Sequence, residues 1–297
     1  MPTALRWAPL LLLAACAGPG TTAVAPLSFA LPDSTYLVAG ATGSRVSTPE
    51  LLRRIGAADI VLLGEVHDNP VDHALRGALI TAFAGRHPAV VFEQFAASEA
   101  PIAPPAAGDS IEGWLDHNGF DRRGWKWPLH QPVVAAAVAH ARSLWGSNVS
   151  REELRGVVRQ GEAGAPEELR ALMNRAPLDS AGRAILDKEL IDGHCGQLPA
   201  AQVPGMRAAQ VTRDAAMARA LGLAAATGPA WLIAGNGHVR RDVAVPRLLP
   251  VAAPGKRVLT VGLLEREPNG AAPDAAERRM YDLVIVTPRT MREDPCR

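Results

Sequence analysis

Asp59-Ile60-Val61-Leu62-Leu63-Gly64-Glu65-Val66-His67-Asp68, then Asn69-Pro70 running to Ala84, then Ala89-Val90-Val91-Phe92, is the stretch that decides the fold. Asp59 to Gly64 is a short apolar run stopped by glycine, the pattern of a strand buried on both faces. Pro70 to Ala84 carries apolar residues at helical spacing. Asn69 stands at the N-cap and Pro70 at the first helical position, where its missing N–H costs nothing. Ala89 to Phe92 reads as a second buried strand, joined through Gly85-Arg86-His87-Pro88. Strand, helix, strand in this order implies a parallel, right-handed crossover.

Downstream of this unit, the region from about 96 to 227 reads as helical. Expected helices run over Pro132–Trp145, from Ser150 with a Ser150/Glu153 capping box, over Pro166–Asn174, Asp179–Asp192 and Gly205–Leu223. Strand patterns return at Ala230–Gly235, Arg257–Leu264 and Tyr281–Val286, with a polar loop at Glu265–Glu277. The expected architecture is α/β. A parallel or mixed central sheet is flanked by helices, both ends of the chain build the core, and a helical subdomain is inserted at about 96–227.

The N-terminus carries a different signal. Arg6 precedes a short apolar run that ends in Leu13-Ala14-Ala15-Cys16. A charged start, a short apolar segment and small residues before a cut describe a secretory signal, here ending on cysteine as lipoprotein signals do. A membrane-spanning helix needs about 20 apolar residues, more than this run offers. The expectation is a signal peptide over 1–15 and acylation of Cys16 by diacylglycerol and a palmitate-type chain. Residues 16–35, rich in Pro, Gly, Thr and Ala, would form a flexible tether to a single domain over 36–290. Ala17 after the cysteine favours the outer membrane of a bacterial envelope, on its periplasmic face.

The formal net charge of the whole chain is +1, and no basic stripe is present, which argues against nucleic acid as a partner. Metal-type cysteine spacing is absent. Cys195 and Cys296 remain beside Cys16, and an oxidising compartment permits a bond between them without requiring it.

Three strand ends carry polar groups: Glu65-Val66-His67-Asp68, Glu93-Gln94, and Gly235-Asn236-Gly237-His238. Open parallel sheets bind ligands outside the carboxyl ends of their strands. Glu65, His67, Glu93 and His238 could therefore meet in one crevice, as ligands of a divalent metal ion or as an acid/base set. Gln210 and Asp214 lie four apart on one helix face with Arg213 beside them. Either this is a solvated face, or Arg213 supports the strand-end carboxylates or meets an anionic ligand group.

The three strand-end segments resemble the ChaN family of haem-binding lipoproteins, within a superfamily that includes Tiki and TraB-type proteins. So do Trp127-Pro128-Leu129-His130-Gln131-Pro132, Ala209 to Ala218, and the lipobox. The resemblance runs in order from about Tyr36 to Pro288. It implies an envelope-anchored lipoprotein that handles haem in iron uptake, that pairs as a homodimer around bound haem, and that works with an outer-membrane haem receptor. Family members are similar to tyrosinate-ligated haem proteins. This chain has two tyrosines, Tyr36 and Tyr281. The aromatic segment with Trp127 and His130 is the substitute candidate for holding haem, and Arg213 a candidate for its propionates. The superfamily also implies an alternative, a divalent-metal-dependent hydrolase in which Glu65, His67, Glu93 and His238 hold the ion and activate water.

Overall fold

The structure is a computed structural model and describes residues 29–293 and 296. The expected signal peptide, Cys16 and most of the tether lie outside these residues. A seven-stranded mixed sheet forms the centre. In chain order its strands are β1 (Tyr36–Ala39), β2 (Ile60–Leu63), β3 (Ala89–Ala96), β4 (Ser143–Asn148), β5 (Ala230–Ile233), β6 (Val258–Glu265) and β7 (Leu283–Thr287). Across the sheet the order is β1-β7-β6-β2-β5-β3-β4. β1 pairs antiparallel with β7, and every other pair is parallel.

Helix α1 (Thr48–Ala57) is capped by Ser47, which the sequence reading did not single out. Helix α2 (Pro70–Ala82) starts as expected: Asn69 accepts a hydrogen bond from the Val71 N–H, and Pro70 opens the first turn. It ends two residues early, in a short 3-10 turn over Ala84–Arg86. The four residues of β2 are wholly buried, as a run covered on both faces must be. Val61 and Leu63 pack with Leu75 and Leu79 of α2 on one face. Ile60 and Leu62 face the other core, built on helix α8 (Val203–Ala225) and helix α10 (Val245–Ala252).

The inserted region holds helices α3 (Ile111–His117), α4 (Gln131–His140), α5 (Arg151–Gln160), α6 (Glu167–Arg175) and α7 (Ser180–Gly193), followed by α8. The α5 capping box is present, with Ser150 and Glu153 exchanging bonds. The helix expected over Pro132–Trp145 stops at His140, and Ser143–Asn148 pairs with β3 as an edge strand. A cluster of Ala and Val on α4 reads the same as helix or buried strand; backbone pairing with Ala89–Phe92 decides where one gives way to the other. Glu93 and Gln94 also lie inside β3 rather than after it, because this strand continues to Ala96.

β2 leads through α2 to β3 on one side, whereas β5 leads through helix α9 (Asn236–Val239) and α10 to β6 on the other. Connections that leave neighbouring strands in opposite directions open a crevice between their carboxyl ends.

Candidate functional site

The crevice at β2, β5 and β3 is a cleft of about 710 Å³. All four strand-end candidates line it, together with Arg213 and Tyr281. Because β5 lies between β2 and β3, residues distant in sequence become neighbours: a Cβ at Gly235 would stand 2.7 Å from His67 Nε2 and 3.7 Å from Glu93 Oε2. Glycine here is what leaves room for both.

His67 stands at the mouth, its side chain 48% exposed, while the Glu65 carboxylate beneath it is fully buried. His67 Nδ1 donates to Glu65 Oε1 at 2.7 Å. This sets the tautomer and leaves Nε2 as a lone pair without a partner among the described residues. Burial pushes the His67 pKa down, which favours the neutral ring. Trp125 meets the ring edge-on at 5.1 Å.

Beneath His67 is a buried polar layer. Gln94 Nε2 donates to Glu65 Oε1 at 3.2 Å, and Arg76 pairs with the other carboxylate oxygen. Arg76 also donates to His73 Nδ1 at 2.8 Å, and His73 Nε2 donates to the His67 carbonyl at 3.1 Å. His130 lies 3.4 Å from Glu65 and 4.1 Å, ring to ring, from His73. Burial holds His73 down at about 4 and His130 down at about 2, so both are neutral. The ligand atoms of Glu65, His73 and His130 lie within 4.8 Å of one another, close enough to hold a cation, and the Arg76 guanidinium supplies positive charge there.

On the other side of the cleft, His238 Nδ1 donates to Asp214 Oδ1 at 2.7 Å, and its Nε2 faces Glu93 Oε1 at 3.4 Å. Burial opposes charge on this ring, yet Glu93 and Asp214 outweigh it and raise the pKa to about 10. Burial likewise opposes charge on Glu93, but His238, His67 and the Gly235 N–H at 2.7 Å bring it down to about 2. The Gln210–Asp214 helix face turns to the cleft: Asp214 is fully buried, and Gln210, part-buried, approaches the His238 ring at 3.4 Å.

The remaining candidates are dispersed. Tyr281 lines the cleft but is buried, its ring against Gly262 and its hydroxyl donating to the Asn236 carbonyl at 3.2 Å. Burial raises its pKa, against the phenolate. Tyr36 lies on β1, with the guanidinium groups of Arg45, at 3.6 Å, and Arg266, at 5.0 Å, over its ring. Trp127 packs on Phe120 and donates to Glu112 at 3.3 Å. Tyr36, Trp127 and His130 are not among the cleft-lining residues.

His73 and Arg76 escaped the sequence reading. A signal existed: Asp72, Arg76, Leu79 and Ile80 share one helical stripe, and all are buried. Ionisable groups on an apolar stripe mark a buried polar network. Arg289 and Arg292, also at the cleft, follow the last strand and had no local pattern to show them.

Cys195, just past α7, is bonded to Cys296. Between β7 and Cys296 the chain is fastened to the cleft rim. Asn69 donates to the Pro288 carbonyl at 3.0 Å, and Arg292 pairs with Glu265 at 2.6 Å and Asp68 at 2.8 Å. Among the described residues no helix is long and apolar enough to cross a membrane.

No curated protein sequence matches the chain. The solved structure of ChaN of Campylobacter jejuni, described as showing cofacial heme binding, is similar to it with a TM-score of 0.66 and 17% identity. The match covers 84% of this chain and 96% of that one. At this identity the likeness shows the fold. The model of the haem-binding uptake family (Tiki superfamily, ChaN) matches residues 51–249, about two thirds of the chain. This span holds β2, β3 and β5 with every strand-end residue of the cleft, so the chain belongs to the ChaN family of haem-binding uptake proteins.

Proposed function

We propose that this protein binds haem in the strand-end cleft, where His67 Nε2 would hold the iron. The observation that carries this reading is the Glu65–His67 pair. A neutral imidazole with one nitrogen held by a carboxylate presents the other as a basic, oriented lone pair, the arrangement in which histidine serves metals. Other features fit the same group: a cleft of about 710 Å³, arginines on its walls of which two have no carboxylate partner among the described residues, and Trp125 edge-on to the His67 ring. Tyr281 is a weaker candidate, since its hydroxyl is already bonded to the backbone and burial disfavours its ionisation. Haem, when bound, would supply an iron centre; the protein's part is to hold it. Membership of the haem-binding uptake family and the cofacial heme of its Campylobacter relative support this reading, of which pairing of two copies around haem is a part. The Leu13-Ala14-Ala15-Cys16 segment supports acylation at Cys16, and Ala17 after it supports a place on the periplasmic face of the outer membrane, where a haem receptor would be the partner.

The test is a haem titration of the purified chain read in the Soret band, with His67→Ala and Tyr281→Phe alongside. Saturable binding whose ligand-specific spectrum is lost in His67→Ala supports the reading. Loss in Tyr281→Phe alone would move the ligand to Tyr281. A spectrum like that of haem with an unrelated protein would overturn it. Incorporation of labelled palmitate, abolished in Cys16→Ser, tests the anchor.

A second reading is favoured by the meeting of Glu93, His67 and His238 around Gly235. It is that of a divalent-metal-dependent hydrolase acting in the same cleft. Stoichiometric metal in the purified protein, with hydrolysis lost in Glu93→Gln, would establish it.

A further inference from the structure

Five arginines line the cleft, and three have their charge engaged by the protein itself. Arg240 is bonded through two nitrogens to Asp242, at 2.6 Å each, and also pairs with Glu189. Arg292 pairs with Glu265 and Asp68. Arg266 donates to the Ser34 carbonyl at 2.9 Å and stands over the Tyr36 ring. Arg213 and Arg289 have no carboxylate partner among the described residues. Arg213 Nε is shut off from water with no hydrogen-bond partner. A guanidinium N–H withdrawn from water and left unpaired is an unmet demand for an acceptor, and the planar fork of arginine matches a carboxylate. The two residues come from separate elements, α8 and the segment after β7, and both face the same cleft.

We infer that Arg213 and Arg289 are the anchor for a ligand bearing two carboxylates, each guanidinium receiving one. The inference rests on the haem reading, in which the two carboxylates are the propionates, and it assigns them to these two of the five arginines. Arg289 follows the last strand on a segment fastened by Arg292 and by the bond to Cys195, so that segment contributes one half of the anchor.

The experiment compares haem with its dimethyl ester, in which both carboxylates are capped, in one detergent buffer. The full chain is titrated with each ligand, as are Arg213→Met, Arg289→Met and the double variant. Charge-assisted hydrogen bonds predict that each single change weakens haem binding by about 10- to 100-fold. Ester binding should be unaffected, and the double variant should bind haem no more tightly than ester. Equal weakening for both ligands, or none for haem, overturns the assignment while leaving haem binding standing. Failure of haem to bind the unaltered chain would instead overturn the haem reading itself. Arg289 is exposed, so its variant keeps the test open if Arg213→Met does not fold.

Discussion

His67 Nδ1 donates to Glu65 Oε1 at 2.7 Å, across only two residues, and the carboxylate that receives it is fully buried while the imidazole is half exposed. A buried acceptor under an exposed ring makes the ring directional. Glu65 is in turn held by Arg76, so the orientation of His67 depends on an ion pair that never meets water.

Glu65→Ala leaves Arg76 as an uncompensated buried charge. The expected loss is about 3–5 kcal/mol, the range for removing one partner of a buried pair. Urea unfolding measures it. Glu65→Gln should retain more stability but loosen the His67 ring, seen as a broadened or shifted Soret band of the haem-loaded protein. A spectrum and stability like the parent's would refute this account of the pair.

His238 makes stability fall in alkali. Its folded pKa of about 10 stands above the ordinary 6.5, so its contribution is complete below pH 6.5 and lost as pH rises through 10. Glu93, lowered from 4.5 to about 2, contributes above pH 4.5 and loses its effect as pH falls through 2. In unloaded protein, His238→Gln should flatten the stability curve between pH 6.5 and 10. An unchanged slope there would show that the ring is not held charged between Glu93 and Asp214.

At Gly235 a methyl group would lie 2.7 Å from His67 Nε2, so Gly235→Ala must push the ring away. The backbone there, at φ −62°, suits alanine, so any loss of stability comes from crowding alone. Haem affinity should fall at least tenfold, about 1.4 kcal/mol, and calorimetric unfolding should stay cooperative. Undiminished binding would place iron away from His67.

The Cys195–Cys296 bond closes a loop with a sequence separation of 101. The Cys195→Ser/Cys296→Ser double variant should lose about 2–5 kcal/mol, as native disulfides that close long loops do. It should also weaken haem more than the dimethyl ester, because Arg289 lies on the segment that the bond fastens. Thermal unfolding and the two titrations check the separate claims.

Much of the candidate site was legible in the sequence, because the chain spells it in local terms. An apolar run ending in Gly64-Glu65 announces a buried strand with a polar end, and Asn69-Pro70 announces the helix that follows. Gly235 and His238 close another strand in the same manner. Each of these depends on neighbours within a few residues, and such patterns survive in the linear chain. The alternation of Ile60 and Leu62 to one core and Val61 and Leu63 to the other follows from the two-residue period of any strand.

What only the tertiary structure decided is who meets whom. Placing β5 between β2 and β3 sets Gly235 against His67 and Glu93, across sequence separations well over a hundred residues. The edge strand Ser143–Asn148 exists because β3 offers it a backbone to pair with, not because its own residues insist on extension. Arg76 and His73 became a buried network only when α2 was laid on the sheet under Glu65. Local propensity acts through a few bonds at a time. Burial, pairing and charge compensation are satisfied between segments, so they are settled only when the segments pack.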